Sequence, residues 1–167
     1  MDGVPKFKVW VPVPEDAEGM AAVHVQGWRE AYGKLLPEKF YDDAVLAARR
    51  QLWSRILAGS DAVLAQNRVA MDSDGKAIGV ATVSPTRDEE PARAECLAAL
   101  YITADWYGRG VGEALLTEVL GDRPAQLWVA RDNPRARAFY RKHGFVEDGA
   151  ETVDADLDGF AEVRMVR

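Results

Sequence analysis

Apolar and polar positions follow two different periods along the 167-residue chain. Residues 7–11 read as a short strand, ended by Pro12 and Pro14 because proline cannot donate to a ladder. From Ala17 the apolar positions fall at Ala17, Ala21, Val25, Trp28, Tyr32 and Leu35, one stripe of a helix with Asp16 as its cap. Gly33 and Pro37 weaken its end. Val45, Arg49, Leu52, Trp53, Ile56 and Leu57 predict a second helix, stopped by Gly59. Residues 62–66 and 68–71 are short and apolar. Asp72-Ser73-Asp74-Gly75-Lys76 reads as a hairpin turn, Gly75 supplying the positive φ, with 77–83 as the return strand. Residues 84–93, with two prolines and several charges, form a loop, and the apolar run 97–103 predicts a buried central strand. A helix over 110–120, a strand over 126–130, a helix over 134–143 and strands around 147–153 and 160–166 complete the chain. This order predicts one domain, 1–167, of class α/β with a sheet flanked by helices.

Composition narrows the functional classes. Lys and Arg number 21 against 27 Asp and Glu, a net charge of −6. That is a poor match for nucleic acid, whose binders carry a basic footprint. A single cysteine, Cys96, cannot form an internal disulfide and favours a reducing, cytoplasmic setting. No apolar run approaches the roughly 20 residues that cross a membrane, and residues 1–14 lack a signal peptide's basic start and apolar middle. Glu151, Asp154, Asp156 and Asp158 lie between the last two strands, but without the glycine and glutamate spacing of a calcium loop they read as a solvated hairpin, and no metal is expected.

The most informative stretch runs from Leu100 to Leu116, an apolar strand entering a turn with Gly108, Gly110 and Gly112, then a helix. Glycines remove Cβ atoms and let backbone amides approach a ligand. The first amides of the helix lack internal partners, and its dipole adds positive character, so the geometry suits a phosphate or diphosphate. Arg109 adds a cation. Glu113 breaks the dinucleotide pattern G-x-G-x-x-G/A, and the Gly-Lys-Ser/Thr of ATP-binding loops is absent.

These residues resemble the GNAT family of acyl-CoA-dependent N-acetyltransferases. The family signature Gln/Arg-x-x-Gly-x-Gly/Ala falls on residues 107–112. A second signature, an Asn and an aromatic pair before Gly-Phe, matches Asn133, Ala136, Phe139, Tyr140, Gly144 and Phe145, and the stretch from Trp28 to Leu36, Trp-Arg-Glu-Ala-Tyr-Gly-Lys-Leu-Leu, resembles the family's first helices. The resemblance implies a mixed, mostly antiparallel central sheet with a splayed pair of parallel strands. It implies acetyl-CoA as donor, held through Ile102, Thr103, Tyr107, Gly108, Arg109, Gly110, Val111, Gly112, Asn133 and Tyr140. The pantetheine arm is expected along Ile102 and Thr103, and the acyl group where the strand of Gln126 splays away. The resemblance assigns Tyr140 as the acid that protonates the leaving thiolate. A phenol stays protonated at neutral pH.

Trp28, Glu30 and Tyr32, with Trp53, are candidates for lining the acceptor site. The acceptor is an amine on a small molecule or a peptide, and a homodimer is common in the family but decided by no feature here. Two departures stand out: Tyr107 replaces Gln or Arg, and Cys96 occupies a position where a branch of the family carries a glutamate base. Glu30, Glu95 and a water chain all remain as the base, His24 reads as a packing or surface residue, and Cys96 as inert. The competing readings are a non-catalytic acyl-CoA-binding or sensory module, and an interaction protein whose glycine turn holds no ligand.

Overall fold

A computed structural model describes Gly3 and residues 6–157 and 159–167. Asp158 of the acidic hairpin, and Met1, Asp2, Val4 and Pro5 of the N-terminal stretch, lie outside the described residues. The strands are β1 (Phe7–Trp10), β2 (Asn67–Asp72), β3 (Ala77–Pro85), β4 (Glu95–Ile102), β5 (Gln126–Ala130), β6 (Val146–Asp154) and β7 (Phe160–Val166). The helices are α1 (Ala17–Tyr32), α2 (Asp43–Leu57), the short α3 (Asp61–Leu64), α4 (Val111–Val119) and α5 (Pro134–Lys142). The strands form one sheet in the order β1-β2-β3-β4-β5-β7-β6. The β1/β2, β2/β3, β5/β7 and β6/β7 pairs are antiparallel, and β4/β5 is parallel, with Cys96 opposite Gln126. This is the mixed, mostly antiparallel sheet that the resemblance implies. Among the described residues no helix is long and apolar enough to cross a membrane.

The chain divides into two compact units, one holding the chain through Thr82 together with Ala99–Gly121, the other Val83–Ala98 and Asp122–Arg167. In the first unit the β2–β3 turn is closed by Asp72, whose Oδ1 accepts the amides of Asp74 and Lys76, with Gly75 at φ 79°. Met20, Ala21 and Val23 of α1 pack with Trp53 and Leu57 of α2 over Val69, Met71 and Val80 of the sheet. Gly79 points to the other face, where a Cβ would meet Leu115 of α4 at 2.7 Å. Successive strand residues face opposite ways, so the sheet of this unit is covered on both sides. Asp16 does not cap α1 with its side chain. Its Oδ2 accepts instead from Val13 N and Trp10 Nε1, fixing the chain that leads out of β1.

α1 comes unusually close to β4. A Cβ on Gly27 would stand 2.8 Å from Cβ of Tyr101. Position 27 therefore has to be glycine for the helix and strand to touch. Tyr101 is then held by two α1 side chains: Trp28 Nε1 donates to its hydroxyl at 2.8 Å, and His24 stacks on its ring at 4.8 Å. The burial of β4 differs from the sequence expectation. Only Leu97 is fully buried, and Ala99, Leu100, Tyr101 and Ile102 are half-buried. An apolar run signals a strand covered on both faces; here Ala98 is exposed and residues 99–102 are only half-buried.

In the second unit β5, β6 and β7 form a three-stranded layer, with Phe145 and Met165 fully buried. Most of β6 is exposed, and its register breaks between Glu147 and Glu151. Charged residues and a register break of this kind blunt an edge strand against pairing with another chain.

Alanine outranks glycine in a helix by about 0.5–1 kcal/mol, so Gly27→Ala would stabilise an isolated α1. Here it forces two backbones apart, an overpacking that costs about 1–3 kcal/mol. The expected outcome is a lower urea midpoint; a raised one would mean that α1 and β4 do not need this contact.

Candidate active site

β4 leads directly into the glycine turn. Thr103 N donates to Ile78 O at 3.0 Å, and a single 3-10 turn, Ala104–Trp106, follows. Tyr107 N bonds Ala104 O and Arg109 N bonds Trp106 O, so tight turns run continuously to Gly110, the N-cap of α4. Gly108 and Gly110 lie at φ 73° and 83°, the left-handed region that side chains disfavour. A Cβ on either would touch nothing within 4 Å, so both face open space. The intrahelical ladder of α4 starts with Ala114 N to Gly110 O, which places the amides of Val111, Gly112 and Glu113 at the open end of the helix. The Arg109 guanidinium sits exposed above the Trp106 ring, 5.4 Å from its centre. Amides, open space and a cation together fit a diphosphate.

Glu30 of α1 reaches the same stretch of chain. Its Oε2 accepts the amide of Ala104, and its Oε1 accepts Gln26 Nε2 at 2.7 Å. Gln26 accepts from Arg29, whose guanidinium also donates to Tyr41 O at 3.0 Å. Glu30, Gln26 and Arg29 line a groove of about 450 Å³ together with Asp42, Lys76 and Thr103. Trp28 packs edge-on to Tyr32 at 5.1 Å, and its indole N–H goes to Tyr101. Trp53 is buried in the core and lines no surface, unlike the sequence expectation. An apolar stripe does not say which aromatic lies at its centre and which at its rim.

In the second unit Asn133 is the N-cap of α5, its Oδ1 accepting from Ala136 N at 3.1 Å. Pro134 takes the first helical position, as the sequence predicts. The Tyr140 ring is buried, edge-on to Phe139 at 5.4 Å and to Phe145 at 6.0 Å, which fixes its orientation. Glu95, a candidate base, is paired with Arg123 through two hydrogen bonds of 3.0 and 2.9 Å. Burial, reinforced by Asp88, pushes the Cys96 thiol up to about 11 and keeps it protonated at neutral pH.

Sequence reasoning missed the centre of this unit. Gln126, fully buried, accepts the amides of Ala92 and Arg93 and donates to Thr86 and Asp88. Asp88 also accepts Trp128 Nε1 and pairs with Arg164 at 3.5 Å, while Arg164 Nε donates to Asp148. A lone glutamine in an apolar strand was the available signal, since a buried amide needs partners on every side.

The expected ligand residues thus fall into three groups. Ile102, Thr103, Tyr107, Gly108, Arg109, Gly110, Val111 and Gly112 form one continuous stretch in the first unit, and Glu30 joins it through Ala104. Trp28 and Tyr32 form an aromatic pair, and Trp28 bonds the Tyr101 hydroxyl. Asn133 and Tyr140 share α5.

The chain is similar to known proteins along most of its length. Residues 63–147 match a family model described as an acetyltransferase (GNAT) domain. The uncharacterized N-acetyltransferase YuaI of Bacillus subtilis is 31% identical over 136 residues, 77% of this chain and 74% of that protein. The crystal structure of PaiA N-acetyltransferase from Thermoplasma acidophilum in complex with coenzyme A superposes with a TM-score of 0.75 at 19% identity, covering 97% of this chain and 98% of that one. A structure from Corynebacterium glutamicum, described as histone acetyltransferase HPA2 and related acetyltransferase, gives a TM-score of 0.67 at 24% identity over 96% of this chain and 94% of its own.

His24 carries a testable consequence. Burial, aided by the nearby Arg49 charge, lowers its pKa to about 3, and its Nδ1 is buried without a hydrogen-bond partner among the described residues. The folded state thus binds the proton less readily than the unfolded state, whose histidine titrates near 6.5. The stability this neutral ring supports is complete above about pH 6.5 and falls as pH drops toward 3. From pH 7 to pH 5 the loss is about 2 kcal/mol. In His24→Phe that part of the acid sensitivity should vanish, while the carboxylates contribute equally to both proteins. Equal losses in chemical denaturation at the two pH values would contradict the buried neutral imidazole.

Proposed function

Because the chain belongs to the GNAT acetyltransferase family, we propose that it moves the acetyl group of acetyl-CoA to a primary amine, on a small molecule or a peptide, by direct attack in a ternary complex. The observation that carries this reading is the turn at Gly108 and Gly110, open to solvent at the head of α4. The structure of PaiA N-acetyltransferase in complex with coenzyme A supports the choice of ligand. In this reading residues 1–167 act as one catalytic domain in the cytoplasm.

Each residue then has a task. Val111 and Gly112 present backbone amides to the diphosphate, Arg109 adds a cation that can swing off Trp106, and Tyr107 keeps one hydroxyl where relatives have an amide or guanidinium. Ile102 and Thr103 offer main-chain groups to the pantetheine arm. Asn133 uses its oxygen as the helix cap, leaving its amide N–H₂ as the donor for a ligand. The bound donor supplies the thioester carbonyl that the amine attacks. The Tyr140 hydroxyl holds the proton that the departing sulfur takes, and the packing of its ring on Phe139 and Phe145 keeps that oxygen in one place. Glu95 is engaged by Arg123, and Cys96 is a protonated thiol. That leaves Glu30, a water chain or the uncharged fraction in solution as the source of the neutral amine. The same two observations favour a second reading, an acyl-CoA-binding module without turnover.

Three variants and the wild-type protein test these readings. Gly110→Glu puts bulk and negative charge where the diphosphate sits and should abolish CoA binding. Gly110→Ala, equally strained at φ 83° but uncharged, should bind measurably. Tyr140→Phe should lose about 100-fold in turnover, within the range for a general acid, and much less in CoA affinity, as read by release of free CoA over an amine panel and by calorimetry. Unchanged affinity in Gly110→Glu removes the assigned site. Binding with no transfer by the wild-type protein establishes the module instead.

A further inference from the structure

We propose that Glu30 is a positioning residue that holds the diphosphate turn in its binding shape, and that it is not the base. The inference rests on the acetyl-CoA reading above. Ala104 is the first residue of the 3-10 turn that leads to Tyr107 and Gly108, so its amide points out of the turn with no acceptor inside it. The preceding Thr103 does not supply the cap; its hydroxyl lies instead against Ile78 O at 3.5 Å. The cap comes from across the fold, from Glu30, 74 residues away in sequence. A carboxylate accepting a backbone amide at the start of a turn makes one of the stronger hydrogen bonds in proteins.

Glu30 is itself held in place. Its other oxygen accepts Gln26, Gln26 accepts Arg29, and Arg29 is fixed by Tyr41 O and by its stack 5.6 Å over the Tyr41 ring. Tyr41 is anchored in turn by its hydroxyl on Leu36 O at 3.1 Å. The row from Tyr41 to Ala104 therefore ties the connection between α1 and α2 to the first residue of the turn. Both oxygens of Glu30 have fixed donors, an arrangement suited to orienting a loop. Taking a proton on either oxygen would weaken the bond it makes to Ala104 or Gln26, which sets a base's role against the role of holding the turn. The glycines beyond Ala104 have no side chains to fix their own conformation, so the turn depends on a cap at its start.

The test compares Glu30→Ala and Glu30→Gln by calorimetry with CoA, by the pH profile of kcat, and by hydrogen exchange of residues 104–110 in the ligand-free protein. Glutamine keeps an acceptor oxygen and loses the charge; alanine loses both. The expected result is that Glu30→Ala binds CoA at least tenfold more weakly and exchanges Ala104 faster, with its melting temperature close to wild type. Glu30→Gln should recover most of the affinity, and the kcat pH profile should keep its shape in both. Unchanged affinity and exchange in Glu30→Ala overturns the inference. So does a Glu30→Gln protein that binds CoA normally but has lost the basic limb of its pH profile, which would make Glu30 the base. A wild-type protein that exchanges as expected but does not bind CoA overturns the acetyl-CoA reading, and this inference with it.

Discussion

The missing side chain at Gly27 lets α1 lie directly on β4, and the rest of the first unit is arranged around that contact. A methyl group there would come within 2.8 Å of Tyr101. With the helix this close, Trp28 reaches the Tyr101 hydroxyl and His24 stacks on its ring. One turn further along, Glu30 reaches the amide of Ala104. A half-buried strand end and a turn with two left-handed glycines thus acquire fixed positions from a helix that packs on them. The hydrophobic core of α1, α2 and the sheet fixes the helix; the helix fixes the turn.

Much of this was legible in the sequence. The strands over 126–130 and 160–166 and the hairpin at Gly75 follow from local chemistry, because alternation, turn residues and a positive φ are short-range properties. The glycine turn before α4 was legible for the same reason. Contacts between distant residues were not. Glu30 binds a backbone amide, and an alanine amide leaves no trace in residue type. Trp53 and Trp28 look alike on a helical stripe, yet one is core and the other bonds Tyr101. The apolar run in β4 suggested burial on both faces, whereas Ala99 to Ile102 are only half-buried.

In the proposed reading the glycine turn before α4 holds the diphosphate, while two groups around it depart from the pattern that the resemblance implies. Tyr107 takes the place of a charged or amide residue, and a thiol pushed up to about 11 stands where some relatives carry a carboxylate. The nearby acid, Glu95, is engaged by Arg123. In the proposed reading such a site would act by holding donor and amine in place and supplying a proton to the leaving sulfur.

The most direct test is a calorimetric titration of CoA-stripped wild-type protein with acetyl-CoA at two salt concentrations. The expected result is micromolar binding, near −8 kcal/mol, that weakens as salt rises because a diphosphate meets amides and Arg109. No binding up to about 1 mM, weaker than roughly −4 kcal/mol, would contradict the account and leave the glycine turn a connection without a ligand.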